Sequence, residues 1–288
     1  MSLRRIAYWL AVRDRWEPLV RSARMLEELA YRSARRYVGG RSLEETSERI
    51  RDLVNRGFLI SLDFFGEGLN EPSEVHRILA EYQQAAAESS KFDGKVDLEV
   101  GPSHVGIDHS VDFFIENTAT IGSLLPHSSR LQVSGEESHR TERIVDASIE
   151  LRRLGIPVVT TVQANLRRSP ADVERLIEAD VGIRLVKGAY LEPAATAHAW
   201  GEPTDRAFVR LAHQIHSHGI DDLALATHDP VLHEALLPLF SAATVEMLLG
   251  VRHPDAVHLM EQGTPVRLYV PFGDNWFRYW VRRRVESL

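Results

Sequence analysis

The sequence RLVKGAYLE, residues 184–192, decides how the rest of the chain is interpreted. Its apolar residues follow Val181 and end before Gly188, a pattern that predicts a short buried parallel strand. Lys187, one of 3 lysines in a chain with 31 arginines, lies at the end of that strand. A buried cation is costly unless an anionic group meets it. Two interpretations follow: Lys187 pairs with a nearby carboxylate, or Arg184 and Lys187 point at a phosphate or a cofactor ring.

Length and composition restrict the class of protein. A chain of 288 residues with 44% hydrophobic and 26% charged residues has the material for one large globular domain, and (β/α)8 barrels commonly have this length. The net charge of −7 argues against a nucleic-acid partner. The absence of cysteine excludes disulfides, thiolate catalysis and cysteine-ligated metals. With no signal-like N-terminus and no long apolar window, we expect no transmembrane segment and a cytoplasmic location.

The order of predicted elements indicates the fold. Residues 1–55 carry apolar residues at helical spacing, which predicts an N-terminal helical extension. Strands are predicted at residues 58–63, 96–100, 130–133, 157–162, 182–186, 223–227, 244–249 and 265–270. Helices are predicted at residues 73–84, 111–125, 142–154, 170–179, 205–218, 230–240, 254–261 and 276–285. Eight strand–helix units predict an α/β fold, a (β/α)8 TIM barrel over residues 56–288. A doubly wound dehydrogenase is disfavoured because no Gly-x-Gly-x-x-Gly follows the first strand.

Polar side chains cluster at the predicted carboxyl ends of the strands, where barrel active sites lie. They include Asp63, His104, Gln163, His228 and an arginine pair on the last helix, Arg282-Arg283. This mixture suits a polyanionic or heteroaromatic cofactor together with a small anionic substrate. Structural roles are the alternative: we expect Asp63 to be a salt-bridge partner, His228 could cap a helix or bond a backbone carbonyl, and the arginine pair could be a solvated face. No motif with metal-ligand spacing is present, so no metal site is predicted.

Several spaced blocks resemble the proline dehydrogenase family of flavin-dependent barrel enzymes. The blocks are LDFFGE (62–67), VQANL (162–166), RLVKGAY (184–190), ATHD (226–229), EMLLGV (246–251) and YVPFG (269–273), followed by YWVRR (279–283) and Glu286. Together they extend over nearly the whole predicted barrel and occur in the family's order. The resemblance implies a barrel with its C-terminal helix over the mouth and FAD as the cofactor.

The resemblance also implies roles for individual residues. The cofactor-binding residues would be Gln163, Arg184, Lys187, Gly188, Ala189, Thr227, His228 and Glu286, with Arg184 near the flavin N5 atom and Glu286 also holding an arginine in place. The substrate-binding residues would be Arg282, Arg283, Tyr190, Tyr269, Ser134 and Gly101. Arg282 and Arg283 would clamp the substrate carboxylate, and the two tyrosines would wall the pocket. Arg184, Tyr190 and Tyr269 are therefore the candidate catalytic residues.

The implied reaction is hydride transfer from the carbon next to an amine nitrogen to flavin N5, giving an imine. The flavin supplies the redox chemistry and the protein supplies orientation and electrostatics. The substrate would be a small amine that carries a carboxylate. The electron acceptor stays open between a quinone, oxygen and a partner protein, and peripheral membrane contact stays open with it.

Two positions depart from the family pattern. Gly101 stands where the family has a lysine, and Ser134 stands where it has an aspartate. Loss of one cation and one anion keeps the local charge sum, and it predicts a roomier, less polar pocket. Three alternatives follow: the same chemistry on a larger or N-modified amino acid other than proline, a non-catalytic flavin-binding relative, or a Schiff-base lyase that uses Lys187.

Overall fold

The computed structural model describes residues 16–65, 72–220, 223–240 and 242–286. Three helices precede the first strand: α1 (Trp16–Arg21), α2 (Arg24–Ala34) and α3 (Leu43–Asn55). The strands are β1 (Leu59–Phe64), β2 (Val96–Val100), β3 (Leu131–Val133), β4 (Val158–Gln163), β5 (Gly182–Val186), β6 (Ala224–Ala226), β7 (Thr244–Leu248) and β8 (Val266–Phe272). The helices after them are α4 (Pro72–Ser89), α5 (Val111–Gly122), α6 (Ser138–Arg153), α7 (Ser169–Glu178), α8 (Glu202–Ser217), α9 (Pro230–Leu236), α10 (His253–Glu261) and α11 (Trp276–Glu286).

The eight strands form a closed parallel barrel in chain order, with β1 pairing both β2 and β8. This confirms the predicted (β/α)8 fold. Several element boundaries differ from the prediction by two to five residues, among them the end of β8 and the start of α6. β8 continues through Pro271, a residue type that usually ends a strand, because Pro271 still pairs with Asp63 in the register of β1. α6 begins at Ser138 because the distant Glu192 carboxylate accepts hydrogen bonds from the Ser138 backbone and hydroxyl at 2.7 and 2.6 Å.

Alternation along each strand separates two environments. Ile60, Leu62, Leu98 and Val100 are fully buried and belong to the main apolar core. The residues between them, such as Ser61 and the acidic residues of β2, are buried polar groups. Since successive side chains of a strand point to opposite faces, the apolar set packs against the helices and the polar set points into the barrel.

The described part of the N-terminal region is helical and packs against the C-terminal helix. Tyr31 of α2 and Trp276 of α11 have ring centroids 5.1 Å apart, and the Arg41 guanidinium lies 3.9 Å from the Tyr31 ring centroid. Ala34, Val38 and the Trp276 neighbourhood form a second apolar cluster with these rings. Residues 1–15 lie outside the described residues, and the division of the chain at residue 55 stays a prediction. Within the described ranges, no helix combines the length and apolar character needed to cross a membrane.

Candidate active site at the barrel mouth

One large cavity opens at the carboxyl ends of the strands. Its volume is about 1560 Å³, beyond the roughly 300–1,000 Å³ of most small-ligand pockets. The predicted site residues that line it are Gly101, Ser134, Gln163, Arg184, Lys187, Gly188, Ala189, Tyr190, Thr227, His228, Tyr269, Arg282 and Arg283. The fold therefore brings predicted site residues from six strand ends and from α11 to one place. Glu286 ends α11, and its side chain lies outside what the structure describes.

Arg184 lies inside the barrel, buried between two carboxylates. Its Nη1 atom is 2.9 Å from Glu99 Oε1 of β2, and its Nε atom is 2.6 Å from Glu246 Oε2 of β7. Burial alone would lower the pKa of this guanidinium, but the two carboxylates raise the pKa above its usual range. Arg184 is therefore a fixed positive charge, held from two sides, at the deep end of the cavity.

The ion pairs of Arg184 continue into the barrel. Glu246 Oε1 lies 3.4 Å from Arg267 Nε, and Arg267 Nη1 lies 3.0 Å from Asp97 Oδ2. Gln132 donates to Glu246 at 2.8 Å and accepts from the Ser61 hydroxyl at 2.5 Å. This polar interior was missed in the sequence analysis. Its signal was the spacing of two residues between Asp97 and Glu99, which places both acids on the inner face of one strand.

Lys187 is paired with two carboxylates. Its Nζ atom is 2.6 Å from Asp205 Oδ1 of α8 and 2.7 Å from Asp229 Oδ2, the residue that caps α9. Burial would lower the pKa of Lys187, but these two hydrogen bonds raise it. The side chain is thus an ammonium at neutral pH, and this geometry is the carboxylate-paired interpretation. An ammonium is not a nucleophile, so the geometry speaks against a Schiff-base role.

The side of the cavity next to Lys187 has the features of a cofactor cradle. Gly188 has φ +106° and lines the cavity, and the Asn165 side chain fills the place that a Cβ atom would take, so only glycine fits at this position of the wall. Asn165 Oδ1 is buried without a hydrogen-bond partner within the described residues. Gln163 Nε2 donates to the Glu136 carbonyl at 2.7 Å, which fixes the amide at the cavity wall.

His228 has a defined protonation state. Its Nε2 atom accepts the Leu248 backbone N–H at 3.0 Å, so the ring is neutral with its proton on Nδ1. Burial, with the nearby Arg283 charge, lowers the pKa of His228 to about 4. The sequence left His228 open between capping a helix and bonding a backbone carbonyl. The structure has a hydrogen bond to the backbone, but the partner is the Leu248 N–H and not a carbonyl. The free Nδ1–H is a donor for a ligand in the cavity.

The opposite wall carries the arginine pair and the tyrosines. Arg282 and Arg283 line the cavity from α11, and the Arg283 guanidinium lies 5.0 Å from the Tyr279 ring centroid. Burial and the charge of Glu136 raise the pKa of Tyr190 to about 12, so its hydroxyl stays protonated. The arginines therefore face a cavity whose tyrosine walls are neutral.

Within the described residues Asp63 forms no salt bridge, so the expected ion pair is not found there. Its carboxylate accepts from the Tyr269 hydroxyl at 2.6 Å and from the Tyr82 hydroxyl at 3.5 Å, and no described cation lies within ion-pair distance. Burial and the neighbouring Glu99 carboxylate raise the pKa of Asp63 well above its usual range. The sequence showed the acid at a strand end but not that the nearby arginine was already engaged by other carboxylates.

The structure shows what lies next to the two positions that depart from the family pattern, and the expectation of a roomier, less polar pocket stays a prediction. A Cβ atom at Gly101 would lie 2.7 Å from His104 Nδ1, so the imidazole already covers this glycine. The Ser134 hydroxyl donates to Glu99 Oε1 at 2.5 Å.

The family model for proline dehydrogenase matches residues 46–287. The chain belongs to the proline dehydrogenase family. Members of this family are flavin-dependent oxidoreductases that act on a CH–NH donor, and the predicted enzyme class is confirmed at that level. Proline dehydrogenase 1 of Bacillus subtilis (strain 168) is 26% identical over 262 residues, covering 88% of this chain and 86% of that protein. Proline dehydrogenase of Deinococcus radiodurans is 27% identical over 270 residues with the same coverage.

Solved structures of the family support the fold. Proline utilization A from Bdellovibrio bacteriovorus, inactivated by N-propargylglycine, matches with a TM-score of 0.80 and 18% identity. The match covers 88% of this chain and 32% of that one. Proline utilization A from Corynebacterium freiburgense matches with a TM-score of 0.75 and 19% identity, over 90% of this chain and 31% of the other. The chain therefore spans about a third of these larger proteins, and at this identity the likeness is one of barrel architecture.

Proposed function

We propose that this protein is an FAD-dependent dehydrogenase that oxidises the C–N bond of proline or a related amino or imino acid. One observation carries the proposal: a charged, carboxylate-held Arg184 and the Arg282-Arg283 pair of α11 line the same large cavity. A fixed cation at the deep end suits an electron-rich reduced ring, and a cationic pair at the rim suits a carboxylate.

The residues that would hold FAD lie on the side of the cavity formed by Gly188 and its neighbours. Gly188 presents its backbone to the cavity, Gln163 and Lys187 would lie beside the cofactor, and His228 would offer its Nδ1–H. The cavity volume of about 1560 Å³ accommodates a dinucleotide together with a small substrate.

The chain's contribution to the reaction is binding, orientation and charge. When bound, the flavin supplies the hydride acceptor. Arg282 and Arg283 would hold the substrate carboxylate, Tyr190 and Tyr269 would fix the plane of its ring, and Arg184 would stabilise negative charge that develops beside it. Because Glu99 and Glu246 fix Arg184 before any ligand arrives, little reorganisation is required.

A second candidate keeps this chemistry and changes the substrate. It is favoured by the geometry around the two departures, where His104 covers Gly101 and Ser134 binds Glu99. A wall built from an imidazole and a carboxylate differs from one built from a lysine and an aspartate, so the preferred amine could be a larger or N-substituted amino acid. The substrate carboxylate would still bind the Arg282-Arg283 pair.

The deciding experiment is an anaerobic visible spectrum of the purified protein, saturated with FAD, after addition of L-proline. Bleaching of the flavin band is expected. If L-proline leaves the band unchanged, cyclic and N-substituted amino acids are tested in the same way, and bleaching by one of them selects the second candidate. A bound flavin that no amine reduces, or a protein that does not bind FAD, contradicts the proposal.

A matched pair of variants tests the carboxylate clamp. Arg283→Met should raise the concentration of amine that half-bleaches the flavin by about tenfold to a hundredfold, since a charge-assisted bond is lost. Arg284→Met changes the next residue of α11, which does not line the cavity, and should leave that concentration unchanged. Equal effects of the two variants would contradict a clamp at Arg283.

Two further experiments address the reaction class and the electron acceptor. Borohydride added with a carbonyl compound should give no covalent adduct at Lys187, because its amine is held as an ammonium by Asp205 and Asp229. An adduct there would support the lyase alternative. We also propose a quinone as the acceptor, and a soluble quinone should reoxidise the amine-reduced protein faster than air does.

A further inference from the structure

The buried acids of the barrel are unequally neutralised. The structure describes six buried carboxylate residues, namely Asp63, Asp97, Glu99, Glu136, Asp172 and Glu246. Five of them have an arginine within ion-pair distance. Among the described residues, the partners of the Asp63 carboxylate are the hydroxyls of Tyr269 and Tyr82. A buried carboxylate without a cation is costly to keep ionised, so Asp63 is a position where an additional positive charge would be stabilising.

The surroundings of Asp63 explain why no described cation forms an ion pair with it. The charge of Arg184 acts on Asp63, but the Arg184 guanidinium is paired with Glu99 and Glu246. Glu99 is also the register partner of Asp63 on the neighbouring strand, so two carboxylates lie side by side. Their mutual repulsion adds to the cost of a charge at Asp63.

Asp63 lines the large cavity, although it is only 8% exposed. Its partner Tyr269 is one of the tyrosines expected to wall the substrate, and both belong to strand ends next to each other in the barrel. A small cation that entered the cavity would therefore meet Asp63 at its acidic end while a carboxylate on the same molecule stays near the arginines of α11. That arrangement matches the two charges of an amino acid.

We infer that Asp63 binds the ammonium group of the substrate and accepts its proton during oxidation, an assignment that rests on the proposed function. The atoms and electrons balance with the flavin as oxidant. A secondary ammonium gives one N–H proton to the Asp63 carboxylate and becomes a neutral amine. Loss of a hydride, with its electron pair, from the adjacent carbon then lets the nitrogen lone pair form the C=N bond of a protonated imine.

The test uses two ligands of one shape. L-Proline and cyclopentanecarboxylate share a five-membered ring and a carboxylate, but only the first has the nitrogen. Binding of both is measured by calorimetry to the holoenzyme with its flavin chemically reduced, so that neither ligand is consumed. Asp63→Asn should weaken L-proline binding by about tenfold to a hundredfold and cyclopentanecarboxylate binding by less than about threefold. An equal loss for both ligands, or no loss for either, would overturn the inference.

A buried acid away from the cavity provides the control. Asp97 is as buried as Asp63 but pairs with Arg267 and Arg130 and does not line the cavity. Asp97→Asn should leave the ratio of the two affinities unchanged even if it lowers stability. Flavin bleaching by amines is measured separately on the unsubstituted protein, so a failure of the proposed function is distinguishable from a failure of this inference.

The unsubstituted protein gives a second test if Asp63→Asn does not fold. The groups that face Asp63 are Glu99 of β2, Tyr82 of α4, Arg184 of β5 and Tyr269 of β8. Arg184 stays charged and the two hydroxyls stay neutral, and burial beside Glu99 raises the pKa of Asp63 well above its usual range. The preference for L-proline over cyclopentanecarboxylate should fall as the pH is lowered through the raised pKa of Asp63, at pH values above the ordinary carboxyl range of about 4, because protonation removes the charge that meets the ammonium. A constant preference over that range would equally overturn the inference.

Discussion

Replacement of Glu246 by glutamine is the sharpest test of the charged interior of the barrel. Glu246 is buried, with Oε2 2.6 Å from Arg184 and Oε1 3.4 Å from Arg267. Glutamine keeps the volume and can still accept from Gln132, which now donates at 2.8 Å. The change therefore removes a negative charge with little change of shape.

The magnitude follows from what each arginine retains. Loss of one partner of a buried ion pair costs roughly 3–5 kcal/mol, because the other charge is left uncompensated. Here Arg184 keeps Glu99 at 2.9 Å and Arg267 keeps Asp97 at 3.0 Å. We therefore expect a cost at the lower end of this range, a loss of about 3 kcal/mol in the free energy of unfolding. This loss corresponds to roughly a hundredfold increase in the unfolding equilibrium constant.

The measurement is urea denaturation of both proteins at a fixed concentration of FAD, followed by far-UV circular dichroism. The expected result is a lower midpoint with an unchanged slope. Glu202→Gln is the matched control: its carboxylate pairs with Arg206 on the surface, with side chains 74% and 68% exposed. That exposed pair should contribute less than about 1 kcal/mol. If Glu246→Gln cost no more than Glu202→Gln, the view that ion pairs fix Arg184 inside the barrel would be refuted.

Three further predictions concern other parts of the site. The pKa of Asp63 is raised in the folded state, so the native protein binds a proton that the unfolded chain has already lost. Stability should therefore fall as the pH rises from about 4 towards the raised pKa. In melting temperatures measured against pH, Asp63→Asn should show less of this fall. The His228 ring, with a pKa of about 4, should stay neutral at pH values above about 5 in an NMR titration, in which a His228→Gln difference spectrum identifies its signal. The stability that depends on the neutral ring should be lost as the pH falls from about 6.5 to about 4. A His228 signal that titrates near pH 6.5 would contradict the burial argument. Gly188→Ala should lower the free energy of unfolding by about 2–4 kcal/mol, because the backbone is left-handed there and the new Cβ atom overlaps Asn165. Gly263→Ala is the control, with φ +85° and open space around it, and should cost about 1–2 kcal/mol. Equal losses in urea denaturation would contradict the close packing at residue 188.

The architecture was predictable because each strand is short, apolar on at least one face and followed by a helix. β5 illustrates this, since its predicted and observed bounds at residues 182–186 agree. The boundaries that differed depend on distant parts of the chain. Glu192 extends α6 from 54 positions away, and no local pattern around Ser138 contains that information.

The site was predictable as a set of residues but not as a set of partners. Resemblance placed Arg184, Lys187 and His228 at one mouth, and the cavity brings them together. Which carboxylate each cation meets depends on the register of neighbouring strands and on helix positions, as with Lys187 and the α8 residue Asp205. Sequence reasoning in one dimension therefore found the positive charges and missed most of the acids that hold them.

The departure at Gly101 and the unpaired acid at Asp63 are two aspects of one feature. The Gly101 N–H donates to the Tyr82 hydroxyl at 3.3 Å, and that hydroxyl in turn donates to Asp63 at 3.5 Å. Only the Tyr82 hydroxyl thus lies between position 101 and Asp63. A side chain as long as that of lysine at position 101 would reach Asp63. The family's lysine would bring a protein cation into this acidic corner, whereas here His104, with a pKa lowered by burial to about 4, is neutral. Because no cation of the described residues pairs with Asp63, the positive charge that this acid lacks is one that an amine substrate carries.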